Sequence, residues 1–214
     1  MLGLPETRDA SGRLDTVDLE WGMSMSTAII LAGGNSRRMG RDKLVLEYGH
    51  QTLLDAAITK FSESFDRVYV SVANLDKYPH IAAEKVEDIY KNCGPMGGLH
   101  AALSKTASEG VFLCAADLPF ADPAAAKRII ALCGDCDVSV MVDDQGRYEP
   151  LFGYYSKTIL PLAEKALSSG NYKMISLFED AEIRTVTRAE LGGLWKDKLL
   201  ANINCIEDYD KFLG

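Results

Sequence analysis

The sequence predicts an α/β domain built on a mostly parallel sheet, with an antiparallel excursion in its C-terminal third. From about residue 26 onward, short apolar runs alternate with segments of helical periodicity, as in repeated β–α units. The run Val111–Ala115 is continuously apolar, which is typical of a central parallel strand buried on both faces. Near the end of the chain, a short turn at 143–147 separates two β-rich segments, which indicates an antiparallel pair.

The elements follow one another in an order that fits this architecture. Thr52 is a plausible N-cap for the first helix, whose apolar residues recur at helical spacing as far as Phe65. The predicted strands are Ala28–Leu31, Arg67–Val72, Lys85–Glu87, Val111–Ala115, Val138–Val142, Glu149–Tyr155 and Ile183–Val186. The predicted helices start near Leu53, Leu99, Pro123 and Lys157, and a last helix carries Ile206, Tyr209 and Phe212.

Composition bounds the domain organisation. The 214 residues are 47% hydrophobic and 25% charged, as in an ordinary globular protein. Residues 1–24 are polar and acidic without a sustained apolar period, so we expect a flexible N-terminal extension or a translated leader. We expect residues 25–214 to form a single domain.

Charge and cysteine content exclude several classes of protein. A formal net charge of -8 argues against general binding to nucleic acid or to an anionic membrane, and no apolar run approaches the ~18 residues that span a bilayer. The five cysteines are scattered and odd in number, which favours a reducing cytoplasm over a disulfide framework. Cys133 and Cys136 form a C-x-x-C, which we interpret as ordinary loop chemistry in preference to a redox or zinc site.

The segment Leu31–Lys43 reads L-A-G-G-N-S-R-R-M-G-R-D-K and follows the first predicted strand. Its glycines let the backbone approach a ligand closely, and Arg37, Arg38 and Lys43 can neutralise a polyphosphate. It matches neither the G-x-G-x-x-G dinucleotide loop nor the P-loop, because Gly33 and Gly34 are adjacent and Leu44 follows Lys43. The alternative is a glycine-rich turn whose basic residues are only solvated.

Polar residues follow several predicted strands. Asp88, Asp117 and Asn204 would gather with the basic loop at the carboxyl edge of the sheet, where ligands bind in open α/β folds. This arrangement suits a nucleoside triphosphate with a divalent cation such as Mg²⁺, for which Asp117 is the best ligand candidate. Asp117 could instead simply cap a turn before Leu-Pro.

The sequence shows no Ser-His-Asp or Cys-His arrangement of the kind used in nucleophilic catalysis. Nucleotidyl transfer does not need one, because it depends mainly on positioning and charge neutralisation.

These motifs resemble those of the molybdenum cofactor guanylyltransferases, the molybdopterin-guanine dinucleotide biosynthesis protein A family. The loop carries the most specific likeness, and the likeness extends from about Ser26 to the C-terminus. Further segments match in order: V-A-N at Val72–Asn74, E-D at Glu87–Asp88, G-P-M-G-G-L at Gly94–Leu99, A-D-L-P-F at Ala116–Phe120, E-P-L-F-G-Y-Y at Glu149–Tyr155 and N-I-N at Asn202–Asn204. The resemblance implies a three-layer, Rossmann-like nucleotidyltransferase fold.

The resemblance also implies a reaction. The terminal phosphate of molybdopterin, with or without bound molybdenum, would attack the α-phosphorus of GTP, yielding the guanine dinucleotide cofactor and pyrophosphate. Mg²⁺ would be the cofactor, held by Asp117. Proteins that deliver molybdopterin or mature molybdoenzymes would be partners, in the cytoplasm.

Site residues follow from the same resemblance, position by position. The implied catalytic residues are Arg38, Lys43 and Asp117. The implied nucleotide-binding and substrate-binding residues are Leu31, Ala32, Gly33, Gly34, Lys43, Asn74, Asp88, Gly94, Asp117, Asn202 and Asn204. Leu31, Ala32 and Gly33 would act through backbone groups, and Lys43 would contact the phosphates. Asn74 and Asp88 would contact the nucleoside, and Arg38, Asn202 and Asn204 would lie near the phosphates or the pterin.

Two other functions remain open. A related nucleotidyltransferase could use CTP or another acceptor, although the double glycine Gly33-Gly34 favours GTP because the cytidylyltransferase loops often read A-A-G. A non-catalytic nucleotide or pterin carrier is the alternative from a different class. The chain departs from the family where Cys205-Ile206 replaces the usual Thr-Pro before the last helix, which affects the expected geometry near the pterin.

Overall fold

A seven-stranded sheet forms the centre of the fold in a computed structural model, which describes residues 26–33, 42–203 and 208. A separate hairpin of two strands, each two residues long, accompanies it. In chain order the strands are β1 (Thr27–Leu31), β2 (Glu47–Tyr48), β3 (Gln51–Thr52), β4 (Arg67–Val72), β5 (Glu84–Glu87), β6 (Gly110–Ala115), β7 (Val138–Val142), β8 (Tyr148–Ser156) and β9 (Ile183–Val186). The large sheet has the order β5-β4-β1-β6-β8-β7-β9, and β2 and β3 form the hairpin.

Strand direction confirms the predicted mixed sheet. β1 pairs in parallel with both β4 and β6, and β4 pairs in parallel with β5. β8 is antiparallel to β6 and β7, and β9 returns parallel to β7. The carboxyl ends of β1, β4, β5 and β6 therefore meet at one edge of the sheet, as an open α/β site requires.

Helices cover both faces of the sheet and make three layers. The α-helices are α1 (Leu53–Ser62), α2 (Gly94–Lys105), α3 (Pro123–Ala131), α4 (Leu160–Ser168) and α5 (Arg188–Leu191), with 3₁₀ helices at Lys43–Val45, Lys157–Ile159, Met174–Glu179 and Gly192–Leu194. One buried apolar cluster packs α1, α3 and α5 on the sheet, and a second packs α2 and α4 on the opposite face. Alternate residues of β1 supply the two clusters, since Ile30 faces the first and Ile29 the second.

Several element boundaries differ from the sequence prediction. The N-cap of α1 is confirmed, because the Thr52 hydroxyl accepts from the Asp55 N–H at 3.1 Å. This helix ends at Ser62, before the predicted position of Phe65. The ring of Phe65 still lies 5.5 Å from that of Phe61, so Phe65 packs in the apolar core although it lies beyond the helix. The hairpin β2–β3 and the short α5 have no counterpart in the prediction, and the predicted last helix lies outside the described residues except for Asp208.

The interpretation of the C-x-x-C segment as an ordinary loop needs correction. The structure joins Cys133 and Cys136 by a disulfide, across a turn in which Gly134 has a φ of 60°. The Cys136 N–H also donates to the Cys133 carbonyl at 3.2 Å, so the turn brings the two side chains together. Cys93 and Cys114 are buried free thiols. Within the part of the chain that the structure describes, no helix has the length and apolarity needed to cross a membrane.

Candidate functional site

The end of β1 is held in place by both neighbouring strands. The Ala32 N–H donates to the Ser71 carbonyl at 3.0 Å, and the Leu31 carbonyl accepts from the Ala116 N–H at 3.1 Å. The Ala32 carbonyl also accepts from the Tyr78 hydroxyl at 3.4 Å and from Lys77 Nζ at 3.3 Å. The strand therefore presents the start of the basic loop from a fixed position. The predicted site residues Gly34 and Arg38 lie outside the described residues.

Asp88 follows β5 and is buried beside the start of the loop. Its Oδ1 atom accepts from the Ser71 hydroxyl at 3.2 Å. A Cβ placed on Gly33 would lie 3.8 Å from Asp88 Oδ2, so the two predicted residues are neighbours, as expected. Burial raises the pKa of Asp88, although the Ser71 bond and the charges of Lys91 and Lys105 oppose that shift.

Two glycines of α2 make this close arrangement possible. A Cβ on Gly98 would lie 2.5 Å from Ser71 Oγ and 2.7 Å from Leu31 Cδ2, and one on Gly97 would lie 2.8 Å from the Tyr90 carbonyl oxygen. A larger residue at either glycine would force its neighbours to shift, and at Gly97 the nearest neighbour is a backbone oxygen. Neither glycine was among the predicted site residues, although both belong to the quoted G-P-M-G-G-L motif. We name Ser71, Asp88, Gly97 and Gly98 the Asp88 cluster.

The first turn of α2 lies beside the Asp88 cluster. Gly94 begins this helix with a φ of 60°, and Pro95 follows it in the first turn, where its missing N–H costs no helical hydrogen bond. The unpaired N–H groups of a helix N-terminus attract anions. Gly94, a predicted site residue, therefore stands where a nucleotide bound at the basic loop could meet backbone donors.

Asn74 lies farther out, on the turn after β4. Its Oδ1 atom accepts from the Lys77 N–H at 3.0 Å, and the residue is exposed. This turn also places Lys77 and Tyr78 against the Ala32 carbonyl. The contact of Asn74 with a nucleoside stays a prediction, and its visible function is to shape the turn.

A second group of contacts surrounds Asp117, at the end of β6. Lys43 Nζ lies 2.6 Å from Asp117 Oδ2 and donates to the Ile203 carbonyl at 2.8 Å, and the Ile203 N–H donates to the Asp117 carbonyl at 3.0 Å. Only about a fifth of each charged side chain is exposed, at 19% for Lys43 and 22% for Asp117. We name Lys43, Asp117 and Ile203 the Asp117 cluster. Asn202 adjoins Ile203, and the predicted Asn204 lies outside the described residues.

Asp42 connects the Asp117 cluster to the end of β1. Its Oδ1 atom caps the 3₁₀ helix that carries Lys43, through the Leu44 N–H at 3.1 Å, and its Oδ2 atom accepts from the Tyr78 hydroxyl at 2.7 Å. Burial alone would raise the pKa of Asp42, but the Tyr78 and Leu44 bonds and the charge of Lys77 outweigh it, so the pKa is lowered. Sequence reasoning did not single out Asp42 or Tyr78, because their partners are distant in the chain.

Glu149 is a further carboxylate near Asp117 that was absent from the predicted site residues. β8 pairs antiparallel with β6, with Phe152 opposite Cys114 and Ser156 opposite Gly110, so the first residues of β8, including Glu149, lie toward the end of β6 that carries Asp117. Burial raises the pKa of Glu149, the Leu151 N–H lowers it, and the negative charge of Asp117 raises it. The E-P-L-F-G-Y-Y motif contained Glu149, but only the pairing of β8 with β6 shows that it approaches Asp117.

A metal ion would depend on few protein ligands here. Across residues 26–33, 42–203 and 208, no group of three or more His, Cys, Asp or Glu side chains is arranged to hold one. Mg²⁺ often takes only one or two carboxylates and completes its shell with phosphate oxygens and water. Asp117, with Glu149 close enough to influence it electrostatically, fits that kind of site, and Lys43 supplies a cation for phosphate in the same place.

Comparison with known proteins agrees with this geometry. The family model described as "MobA-like NTP transferase domain" matches residues 28–185. A probable molybdenum cofactor guanylyltransferase of Carboxydothermus hydrogenoformans is 33% identical, over 89% of this chain and 96% of the relative. A protein of the same description from Methanosarcina mazei is 30% identical, over 89% of this chain and 91% of the relative.

A solved structure shares the fold. The crystal structure of molybdopterin-guanine dinucleotide biosynthesis protein A from Archaeoglobus fulgidus superposes with a TM-score of 0.76 at 23% identity, covering 86% of this chain and 95% of the other. The predicted α/β fold with a mostly parallel sheet and an antiparallel strand is therefore confirmed. The family model covers the described site residues from Leu31 to Asp117, and Asn202 lies beyond its end.

Proposed function

The chain belongs to the MobA-like NTP transferase family and is a nucleotidyltransferase, and we propose that it transfers GMP from GTP to molybdopterin, releasing pyrophosphate. The relatives described as probable molybdenum cofactor guanylyltransferases support this substrate pair. In the proposed reaction, the terminal phosphate of molybdopterin forms a bond to the α-phosphorus of GTP while the bond to pyrophosphate breaks.

One observation carries the proposal most directly. Lys43, Asp117 and Ile203 come from three distant parts of the chain and meet at the carboxyl end of β6, beside the basic loop. A cation and a carboxylate in contact at this position can hold a triphosphate and its metal together. This suits nucleotidyl transfer, in which positioning and charge neutralisation do most of the work.

The protein groups would divide the nucleotide between the two clusters. Backbone groups of Leu31, Ala32 and Gly33 would hold the guanosine part with Asp88 and Asn74, and Lys43 would leave Asp117 to contact the phosphates. Mg²⁺, held by Asp117, would neutralise negative charge on the transferred and leaving phosphates. Gly34, Arg38, Gly94, Asn202 and Asn204 would complete the site in the roles that the family resemblance implies.

The acceptor would approach from the side of β8. A cavity of about 370 Å³ lies there, with Tyr148, Glu149, Trp195 and Leu200 in its wall. Its size is within the range of sites for small ligands, and Glu149 links it to Asp117. A pterin that entered this cavity would have its phosphate near the Asp117 cluster, on the opposite side from the Asp88 cluster.

Other parts of the proposal rest on the family alone. We propose that residues 25–214 act as one nucleotidyltransferase domain in the cytoplasm. Partners would be proteins that deliver molybdopterin and proteins that mature molybdoenzymes. A molybdopterin cytidylyltransferase is the nearest alternative, and the adjacent Gly33 and Gly34 favour GTP over CTP.

The test measures pyrophosphate release from GTP and from CTP, with molybdopterin and Mg²⁺. We expect release with GTP and a loss of at least about 100-fold in Asp117→Asn, because a metal ligand at the transferred phosphate is removed. Asp180→Asn is the matched control, since Asp180 pairs with Lys165 at the surface, 3.4 Å away.

Undiminished turnover in Asp117→Asn would contradict the metal assignment, and equal pyrophosphate release from GTP and CTP would remove the preference for GTP. Tight GTP binding without release would identify a carrier.

A further inference from the structure

A second cavity lies outside the proposed site, on the face of the sheet that α1 and α3 cover. Its volume of about 530 Å³ is within the range of small-molecule sites. The hairpin β2–β3, α1, the start of α3 and the segment 196–198 surround it. We name it the lysine cavity; the charged residues of its walls are Lys60, Asp122, Lys196, Asp197 and Lys198.

Lys60 is the most deeply placed cation of the lysine cavity. It is half-buried on α1, and its Nζ atom donates to the Pro119 carbonyl at 2.7 Å. Burial lowers the pKa of Lys60, and the nearby Asp122 opposes that shift. An ammonium group carries three donors and the Pro119 carbonyl takes one, so Lys60 can also donate to an anion in the cavity.

The remaining charges favour an anion as well. Lys196 and Lys198 join Lys60 in the wall, against the two carboxylates of Asp122 and Asp197. Both carboxylates already have partners: Asp122 caps α3 through the Ala124 N–H at 2.9 Å and lies 3.3 Å from Lys196, and Asp197 lies 3.3 Å from Arg188. The wall thus carries three lysines against two aspartates, in a chain whose net charge is -8.

Aromatic and proline side chains supply flat walls. Tyr48 and Phe120 are half-buried at the cavity, and Lys198 Nζ lies 5.2 Å from the centre of the Phe120 ring. Pro119 and Pro123 add rigid apolar surface. A planar ring can pack on such walls while an attached anionic group reaches the lysines.

We propose that the lysine cavity binds a small molecule that joins a phosphate group to a planar ring, at a site separate from the Asp117 cluster. Lys60 would contact the phosphate, and Tyr48 and Phe120 would contact the ring. Mononucleotides and phosphorylated pterins share this chemistry. The proposal needs neither Lys43 nor Asp117, so it can fail or succeed independently of the proposed transfer reaction.

Pyridoxal 5′-phosphate is a suitable probe, because it carries a phosphate, a planar ring and an aldehyde. Its aldehyde condenses with an unprotonated lysine amine to an imine and water, and borohydride then reduces the imine to a stable secondary amine. Peptide mass spectrometry locates the label. We expect Lys60 to be labelled first, in the wild type and equally in Lys43→Met. Pyridoxal without phosphate should label Lys60 about tenfold less, because the charged contacts that Lys196 and Lys198 of the same wall offer to the phosphate are lost.

Lys157 is the matched control within the same molecule. It is also half-buried, and its Nζ atom donates to the Thr106 carbonyl at 3.0 Å, far from the lysine cavity. Preferential labelling of Lys60 over Lys157 supports the proposal. Equal labelling of the two, or loss of the Lys60 label in Lys43→Met, overturns it, and neither result depends on a variant of Lys60 being able to fold.

Protection and calorimetry then distinguish the two ligand sources. GMP, a phosphorylated pterin and inorganic phosphate are added separately before labelling. Stronger protection by GMP or by the pterin than by inorganic phosphate supports the proposal and identifies the ring, whereas equal protection by inorganic phosphate contradicts it. In the Lys43→Met background, adding Lys60→Met should weaken binding of that compound about tenfold, whereas adding Lys157→Met should not. Unchanged affinity in the Lys60 variant, or protection by none of the three compounds, contradicts the proposal.

Discussion

The Asp88 cluster and the Asp117 cluster lie at the same edge of the sheet but are held together by different forces. In the Asp88 cluster, glycines allow a helix to pack tightly on two adjacent parallel strands, and the residues lie close together in the sequence. In the Asp117 cluster, an ion pair and backbone hydrogen bonds join segments that are 74 and 160 residues apart.

This difference implies a division of labour. Steric packing is insensitive to salt and ligands, so the Asp88 cluster can act as a rigid wall for a nucleoside. An ion pair can exchange partners when a triphosphate and a metal arrive, so the Asp117 cluster can respond to the substrate. Substitutions in the Asp88 cluster should therefore mainly change the stability of the fold. Substitutions in the Asp117 cluster should mainly change the rate of the reaction.

Among the substitutions that compare the two clusters here, the largest expected effect is at Lys43, in the Asp117 cluster. Lys43→Met should lower GMP transfer by about 100-fold, because one preorganised cation is removed from the phosphates. Lys43→Arg should retain part of the activity. Pyrophosphate release measures the effect, and urea denaturation separates it from loss of folded protein. Comparable turnover in Lys43→Met and wild type would show that Lys43 serves structure alone.

A steric change should instead disturb the Asp88 cluster. Gly98→Ala puts a methyl group 2.5 Å from Ser71 Oγ, which should destabilise the fold by about 1–3 kcal/mol and weaken GTP binding. Gly193→Ala is the matched control, because its new methyl group would meet nothing within 4 Å. Urea denaturation and calorimetry with GTP measure the two effects. Wild-type values in Gly98→Ala would mean that α2 or the side chains of Ser71 and Leu31 can move away without cost.

Tyr78→Phe tests the contact between the end of β1 and the 3₁₀ helix that carries Lys43 of the Asp117 cluster. It removes the 2.7 Å bond to Asp42 and should cost about 1 kcal/mol of stability at pH 7. Because the pKa of Asp42 is lowered in the folded state, its contribution is present above the unfolded value of 3.8 and disappears as the pH falls through the folded pKa. Thermal unfolding of both proteins should therefore differ at pH 7 and converge in acid. A difference independent of pH would exclude this linkage.

The smallest predicted effect is a gain in stability, on replacing Asp88. Burial raises the pKa of Asp88, so its ionised form opposes folding at pH 7 and this cost vanishes below the unfolded value of 3.8. Asp88→Asn should therefore raise the melting temperature at pH 7, with a smaller gain in acid, while weakening GTP binding. Ser71→Ala serves as the comparison, since it removes the bond but keeps the charge. A lower melting temperature for Asp88→Asn at pH 7 would refute this account.

Much of the Asp88 cluster follows from local sequence patterns. The strand ends at Leu31 and Glu87 and the glycine pair Gly97-Gly98 are all readable along the chain. Their meeting point could be expected because parallel strands share a carboxyl edge. What could not be read was which atoms Gly98 approaches, because Ser71 comes from another strand.

The Asp117 cluster was only partly predictable. Lys43 and Asp117 were expected to share a phosphate site, but the contact of Lys43 with the Ile203 carbonyl and the approach of Glu149 were not. Backbone carbonyls have no sequence signature. The approach of Glu149 depends on which strand β8 pairs with, which local patterning leaves open.

The sequence by itself determined the α/β class, the order of the main strands and helices, and the motifs that mark the carboxyl edge, since periodicity and glycine position are local properties of the chain. Only the tertiary structure decided that Asp42, Tyr78 and Glu149 join the site, that Cys133 and Cys136 are bonded, and that Lys60 lines a cavity. Those contacts join residues brought together by packing and strand pairing or, for the two cysteines, by the geometry of a single turn. Neither the pairing nor that geometry can be read from the order of residues.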